Sequence, residues 1–147
     1  MSDDPFDLER FVTAQNGRVV GDTTAYEAAI GELRAGRKRT HWIWFVCPQV
    51  AGLGMSDMAI KYAISSADEA RAYVAHSVLG ARLRECCEAL LAADGDSATE
   101  ILGSPDDVKL KSSMTLFAHA TDEPIFRGAL DRFFGGALDS RTIELLG

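Results

Sequence analysis

The apolar residues of this chain recur at helical spacing in short segments, and residues typical of helix ends separate one segment from the next. Thr24 and Glu27 have the spacing of a capping box, and the apolar stripe that follows them ends at Gly36. Ser104, followed by Pro105 and two acids, also has the pattern of a helix start. Because few segments alternate as strands do, the sequence predicts an all-α fold.

The predicted architecture is a compact single-domain bundle of about seven to nine mostly short helices. The longest is expected from about Ser77 to Ala93, followed by Gly95 as its end. Other helix starts are predicted at Asp7, Ser56, Ser65 or Ser66, Ser97, Asp122–Pro124 and Asp139 or Ser140. With 147 residues and no Ser/Gly/Pro-rich linker, the chain is expected to form one helical domain over 1–147, with residues 1–6 flexible.

The most apolar stretch, His41–Gln49, has an ambiguous period. Trp42, Trp44 and Val46 alternate as in a strand, yet the run is short enough to be a buried helical turn before Pro48. We favour a short helix, because little else in the chain would supply partner strands.

The composition excludes several classes of protein. Hydrophobic residues make up 47% of the chain and charged residues 25%, which argues against disorder, a collagen-like repeat and a disulfide scaffold. Cys47, Cys86 and Cys87 form no regular framework, so we expect reduced thiols. The acidic N-terminus lacks the order of a secretory signal and no apolar run is long enough to cross a bilayer, so a cytoplasmic location is expected.

The charge is strongly acidic overall but unevenly distributed. Fifteen Lys and Arg residues face 22 Asp and Glu residues, which gives a net charge of -7. This balance argues against binding to bulk nucleic acid or to an anionic membrane. Between Gly31 and Tyr62, however, five cations face two acids, and four of these cations lie within Arg34–Arg39, directly before the tryptophans.

This basic and aromatic segment contains the predicted ligand-binding residues, Arg37, Lys38, His41, Trp44 and Gln49. Guanidinium and ammonium groups hold phosphates, an indole ring stacks on a planar group, and a glutamine amide pairs with an amide or base edge. The possible partner is therefore an anionic, partly aromatic small molecule of the nucleotide type. In the alternative interpretation the cations only complement a helix end and the tryptophans belong to the core.

No motif predicts a metal or a cofactor. His41, His76 and His119 are far apart in the chain and lack the spacing of metal ligands. The loop Gly52–Ser56 precedes a helix but lacks the pattern of a dinucleotide or phosphate-binding loop. His41 is the single candidate for an acid or base, because imidazole is the side chain that most often transfers a proton in catalysis near neutral pH.

Several longer segments resemble one bacterial family. They are ELRAGRKR, HWIWFVCPQ, GLGMSDMAIKYAI, EARAYVAHSVLGARLRECCEALL, PDDVKLKSSMTLF and FFGG, and together they extend over almost the whole chain. The sequence is thereby similar to the family named for domain of unknown function 1810, which implies a compact all-helical cytosolic domain. Some members carry a calpastatin-like label, but this chain lacks the long disordered character of such an inhibitor.

The resemblance supplies no activity, so two other functions stay open beside ligand binding. A fold-level analogy to bacterial domains that process ADP-ribose derivatives suggests a hydrolase or glycosidase, with His41 or an unplaced carboxylate as the acid or base. The other alternative is a domain that acts only through contacts with other proteins.

Overall fold

The computed structural model describes residues 4–94 and 97–147, which form ten α-helices and one short hairpin. The helices are α1 (Glu9–Asn16), α2 (Ala25–Ala35), α3 (Ile43–Val46), α4 (Asp57–Lys61), α5 (Ala67–Ala75), α6 (Leu79–Ala92), α7 (Ala98–Leu102), α8 (Asp106–Ala120), α9 (Pro124–Phe134) and α10 (Ser140–Leu146). The strands β1 (Arg18–Val20) and β2 (Thr23–Thr24) pair antiparallel between α1 and α2. The all-α prediction is confirmed, with one helix more than the predicted range.

Local capping determines where most of these helices begin. The Thr24 side chain accepts from the Glu27 amide while the Glu27 carboxylate accepts from the Thr24 amide, so the predicted capping box is present. Gly36 ends α2 in the left-handed conformation that glycine adopts without strain. The predicted caps of α4, α5, α7 and α10 each accept from the amide three residues ahead; they are Ser56, Ser66, Ser97 and Asp139.

One sequence prediction about local structure was wrong, and one element was missed. Pro105, and not Ser104, occupies the cap position of α8, since the amides of Val108 and Lys109 donate to the Pro105 carbonyl. The hairpin of β1 and β2 was not predicted, because strands of two or three residues are too short to show a clear alternation. The predicted end of α6 at Gly95, like part of the predicted flexible segment 1–6, lies outside the described residues.

A row of aromatic rings runs through the centre of the core. Phe11, Tyr73, Phe117 and Phe126 follow one another with ring centroids 5.1, 5.4 and 5.6 Å apart, and none of them is exposed. This row joins α1, α5, α8 and α9. Because α8 is buried along most of its length, it forms a fixed wall against which the segment from α2 to α3 packs. No helix in the described part of the chain combines the length and apolar character needed to cross a membrane.

The turn from α5 to α6 leaves no space for a side chain at Gly80. A Cβ atom there would lie 2.0 Å from the backbone carbonyl oxygen of Val74. A Cβ atom at Gly31, in the middle of α2, would meet no atom within 4 Å apart from its chain neighbours and the backbone of its own helix. The two glycines therefore provide a matched comparison of a packed and an open helical site.

We expect Gly80→Ala to lower the free energy of unfolding by at least about 2 kcal/mol, because α5 and α6 must separate to admit the methyl group. The control variant Gly31→Ala should be as stable as the wild type or more stable by up to about 1 kcal/mol, since alanine favours the helix. Urea denaturation followed by circular dichroism measures both values. Equal stability of Gly80→Ala and the wild type would contradict the close approach of the two helices.

Candidate functional site

One carboxylate holds the chain that leads from α2 to α3. Glu32, near the end of α2, accepts from the amides of Arg39 and Thr40 at 2.6 and 2.9 Å and from the Thr40 hydroxyl at 2.7 Å. The Trp42 indole Nε1 donates to the same carboxylate at 3.1 Å. Partial burial acts to raise the pKa of Glu32, but these hydrogen bonds together outweigh it and lower the pKa.

The two tryptophans have different surroundings. Trp42 is only 1% exposed and belongs to the core, whereas Trp44 is half-buried and reaches the surface. The ammonium of Lys109, from α8, lies 4.8 Å from the centre of a Trp44 ring, within the range of a cation–π contact. The core interpretation is therefore correct for Trp42, and Trp44 faces a cleft between α3 and α8.

Lys38 is the buried cation of this region. Its amide donates to the Ile101 carbonyl at 2.6 Å, and its side chain is 6% exposed. The Lys38 Nζ lies 2.8 Å from Asp106 Oδ2, and the Lys109 Nζ lies 3.5 Å from Asp106 Oδ1. Two ammonium groups thus share a single carboxylate at the start of α8.

These residues line a cleft of about 400 Å³, which we call the basic cleft. Its lining residues are Lys38, Arg39, His41, Trp44, Leu102, Ser104, Pro105, Asp106 and Lys109. Three permanent cations face one carboxylate here, so the lining carries an excess of two positive charges in a chain whose net charge is -7. Such a local excess attracts an anion even though the whole protein is acidic.

The predicted binding residues are only partly brought together. Lys38, His41 and Trp44 line the basic cleft, and Gln49 lines an adjoining cleft that shares Pro105 and Lys109 with it. Arg37 is exposed and lines neither cleft.

Arg39 lines the basic cleft where Arg37 was expected, and Asp106 and Lys109 join it from α8. The two acids before Val108 were predicted as part of a helix start and not as part of this site. The second of these acids, Asp107, accepts from the Thr99 hydroxyl at 2.5 Å, and this hydrogen bond connects α8 with α7. No periodic signal in the sequence indicates that the start of α8 faces the segment before α3.

The histidine and cysteine side chains of the described residues differ in their surroundings. His41 is exposed at the edge of the basic cleft and makes no hydrogen bond with another described residue. No three His, Cys, Asp or Glu side chains come together as metal ligands within residues 4–94 and 97–147. The three cysteines are free and buried, and burial raises the pKa of Cys47 to about 12, which suppresses its thiolate form at neutral pH.

Comparison with known proteins supports the resemblance found in the sequence. A family model described as "Protein of unknown function (DUF1810)" matches residues 5–146. The crystal structure of the conserved hypothetical protein Rv1873 from Mycobacterium tuberculosis is similar to this chain, with 52% sequence identity and a TM-score of 0.91. The alignment covers 97% of this chain and 98% of that chain. A comparison with curated proteins gives no match.

The hydrogen bonds of Glu32 lead to a pH-dependent stability. A Glu32→Gln variant should lose about 1–3 kcal/mol of unfolding free energy at pH 7. The reason is that an NH2 group, which donates, replaces one of the two carboxylate oxygens, which accept. The pKa of Glu32 is lower in the folded than in the unfolded state, so its carboxylate stabilises the fold above the unfolded value of about 4.3. This contribution disappears as the pH falls through the lower, folded value.

Thermal unfolding of the wild type and Glu32→Gln at pH 7 and pH 3 tests this expectation. The difference in Tm should be large at pH 7 and should shrink at pH 3. Glu88→Gln is the control, since Glu88 is exposed on α6 and its side chain accepts no hydrogen bond within the described ranges. A Tm difference for Glu32→Gln that stays constant or grows on acidification would contradict the role of its carboxylate.

Proposed function

Because the chain belongs to the DUF1810 family, whose description names no activity, we propose its function from the geometry of the basic cleft. The protein binds an anionic, partly aromatic small molecule of the nucleotide type and does not transform it. The observation that carries this proposal is that Lys38, Arg39 and Lys109 line one cleft with a single carboxylate, Asp106, beside the accessible ring of Trp44.

The cations of the cleft have different tasks. Lys38 is buried and 2.8 Å from Asp106, so its charge is largely neutralised and its pair with Asp106 fixes the cleft wall. The Lys109 side chain is 24% exposed and lies farther from the same carboxylate, which leaves its ammonium able to donate to a phosphate. Arg39 is exposed and adds a guanidinium fork at the same cleft.

Trp44 provides the aromatic part of the site. An indole ring that is half-buried is held in place by its neighbours and still offers part of its surface to a planar group. Stacking of a base on an aromatic side chain contributes about 1–3 kcal/mol and accepts any base. The cleft is therefore suited to a phosphate and a base that are joined in one molecule.

The two alternative functions stay predictions. An acid–base role for His41 needs a group that orients the imidazole, and His41 has no hydrogen-bond partner in the described part of the chain. Turnover of an ADP-ribose derivative by the purified protein, lost in His41→Ala, would establish the enzyme.

We expect the wild type to bind ADP in isothermal titration calorimetry and Lys109→Gln to bind it about tenfold more weakly, since a hydrogen bond to a charged group contributes about 1.5–3 kcal/mol. The matched control is Lys111→Gln, on the same helix two residues further, because Lys111 lines neither cleft. Arg39→Gln and Arg37→Gln form a second pair, of which only the first should weaken binding.

Binding should also quench the fluorescence of Trp44 and leave that of the buried Trp42 nearly unchanged. In a Trp44→Phe variant, whose tryptophan fluorescence comes from Trp42, ADP should therefore cause little quenching. An absence of ADP binding at millimolar concentration would overturn the proposal. Equal weakening of ADP binding in Lys109→Gln and Lys111→Gln would overturn it too, since the effect of the lysine would then depend on net charge and not on its position in the cleft.

A further inference from the structure

The basic cleft continues into a second cleft of about 260 Å³, which we call the neutral cleft. Its lining residues are Gln49, Leu53, Gly54, Pro105, Val108, Lys109, Ser112 and Asp139. Pro105 and Lys109 belong to both clefts, so one ligand can extend from Trp44 past Lys109 to Gln49. The anion-binding lysine thus lies at the junction of the two clefts.

The two clefts differ in charge. The lining of the neutral cleft contains one cation, Lys109, and one carboxylate, Asp139. The Lys109 ammonium is close to Trp44 and Asp106, which are both residues of the basic cleft. Because the Asp139 carboxylate repels a phosphate, the anionic part of a ligand is favoured in the basic cleft and an uncharged part in the neutral cleft.

The polar groups of the neutral cleft are suited to hydroxyls. Asp139 accepts from the Ser112 hydroxyl at 3.1 Å and from the Thr142 amide at 3.1 Å, both through Oδ2, and these bonds hold its position. A carboxylate held in this way accepts further hydrogen bonds, and a hydroxyl is a donor that carries no charge.

Gln49 provides a second polar group, because its backbone is held in place and its side-chain amide is available. Its backbone carbonyl accepts from the Ile64 amide at 2.9 Å, next to the bridge between Val50 and Ile64. Its half-buried side-chain amide has no hydrogen-bond partner among the described residues. The amide offers a ligand hydroxyl both a donor and an acceptor. Leu53 and Val108 add apolar surface to the same cleft.

We propose that the ligand is a nucleoside diphosphate with a hydroxylated substituent, such as a sugar, on its terminal phosphate. The proposal rests on the proposed function of the basic cleft. The base stacks on Trp44, the diphosphate contacts Arg39 and Lys109, and the substituent lies between Gln49 and Asp139. A diphosphate esterified at both ends carries two negative charges, which match the two excess positive charges of the basic cleft.

Calorimetric titration with ADP, ADP-glucose and ADP-ribose tests this inference. In the wild type we expect at least one of the two substituted ligands to bind about fivefold more tightly than ADP, because one or two added hydrogen bonds each contribute about 1 kcal/mol. Gln49→Leu should remove this preference and leave the affinity for ADP unchanged. Lys109→Gln should weaken the binding of all three ligands.

A second variant tests the same cleft by volume. Val108 is 56% exposed at the neutral cleft, and Val108→Phe should fill the cleft and abolish the preference without loss of stability. Val20→Phe is the control, since Val20 is 72% exposed on the hairpin. Thermal unfolding confirms that each variant is folded.

The outcomes separate the two proposals. Equal affinity of the wild type for ADP and for both substituted ligands overturns the inference and leaves the proposed function intact. Equal weakening of ADP and the substituted ligands by Gln49→Leu overturns it as well. If none of the three ligands binds, the proposed function fails together with the inference.

Discussion

The Asp106 carboxylate joins the two parts of the chain that form the basic cleft. Lys38 comes from the segment after α2 and Lys109 from the first turns of α8, and both ammonium groups approach the same carboxylate. An ammonium as buried as that of Lys38 is tolerated only with a partner, because an unpaired charge at this depth costs several kcal/mol. The ion pair therefore forces the segment before α3 to lie against the start of α8, and the cleft exists because of that contact.

The rest of the core keeps this contact rigid. The row of aromatic rings from Phe11 to Phe126 fixes α8 between α5 and α9, and Glu32 fixes the backbone of Arg39 and Thr40. Both walls of the cleft are thus held by interactions outside the cleft. A site formed in this way is largely preformed, so little ordering free energy opposes the binding of a ligand.

The charge of the whole chain is a poor guide to this site. A net charge of -7 argues against long polyanions, which contact a large surface, and it does not argue against a small anion in a cleft. Screening by salt limits the influence of distant acids to about 10 Å at 0.1 M ionic strength. The three cations around Trp44 therefore determine what the cleft attracts, and the acidic remainder of the surface determines what the protein as a whole avoids.

The sequence by itself determined the helices, because capping and apolar spacing act over a few neighbouring residues. Thr24, Ser56, Ser97 and Asp139 cap the helices that were predicted to follow them. The sequence also located the basic and aromatic segment, since that signal is a local cluster. Pro105 was misplaced by one position, because the hydrogen bonds at the start of α8 depend on the three-dimensional path of the preceding loop.

Only the tertiary structure decided which side chains meet in the clefts. Arg37 and Arg39 are equivalent in the sequence. In the structure the Arg39 amide donates to the Glu32 carboxylate, and Arg39 is the one that lines the basic cleft. Lys109 and Asp106 are distant in the chain from Trp44, and no pattern in the sequence indicated that they lie beside it. Helical periodicity fixes the face on which a residue lies, but the packing of one helix against another fixes its neighbours, and that depends on contacts between residues far apart in the chain.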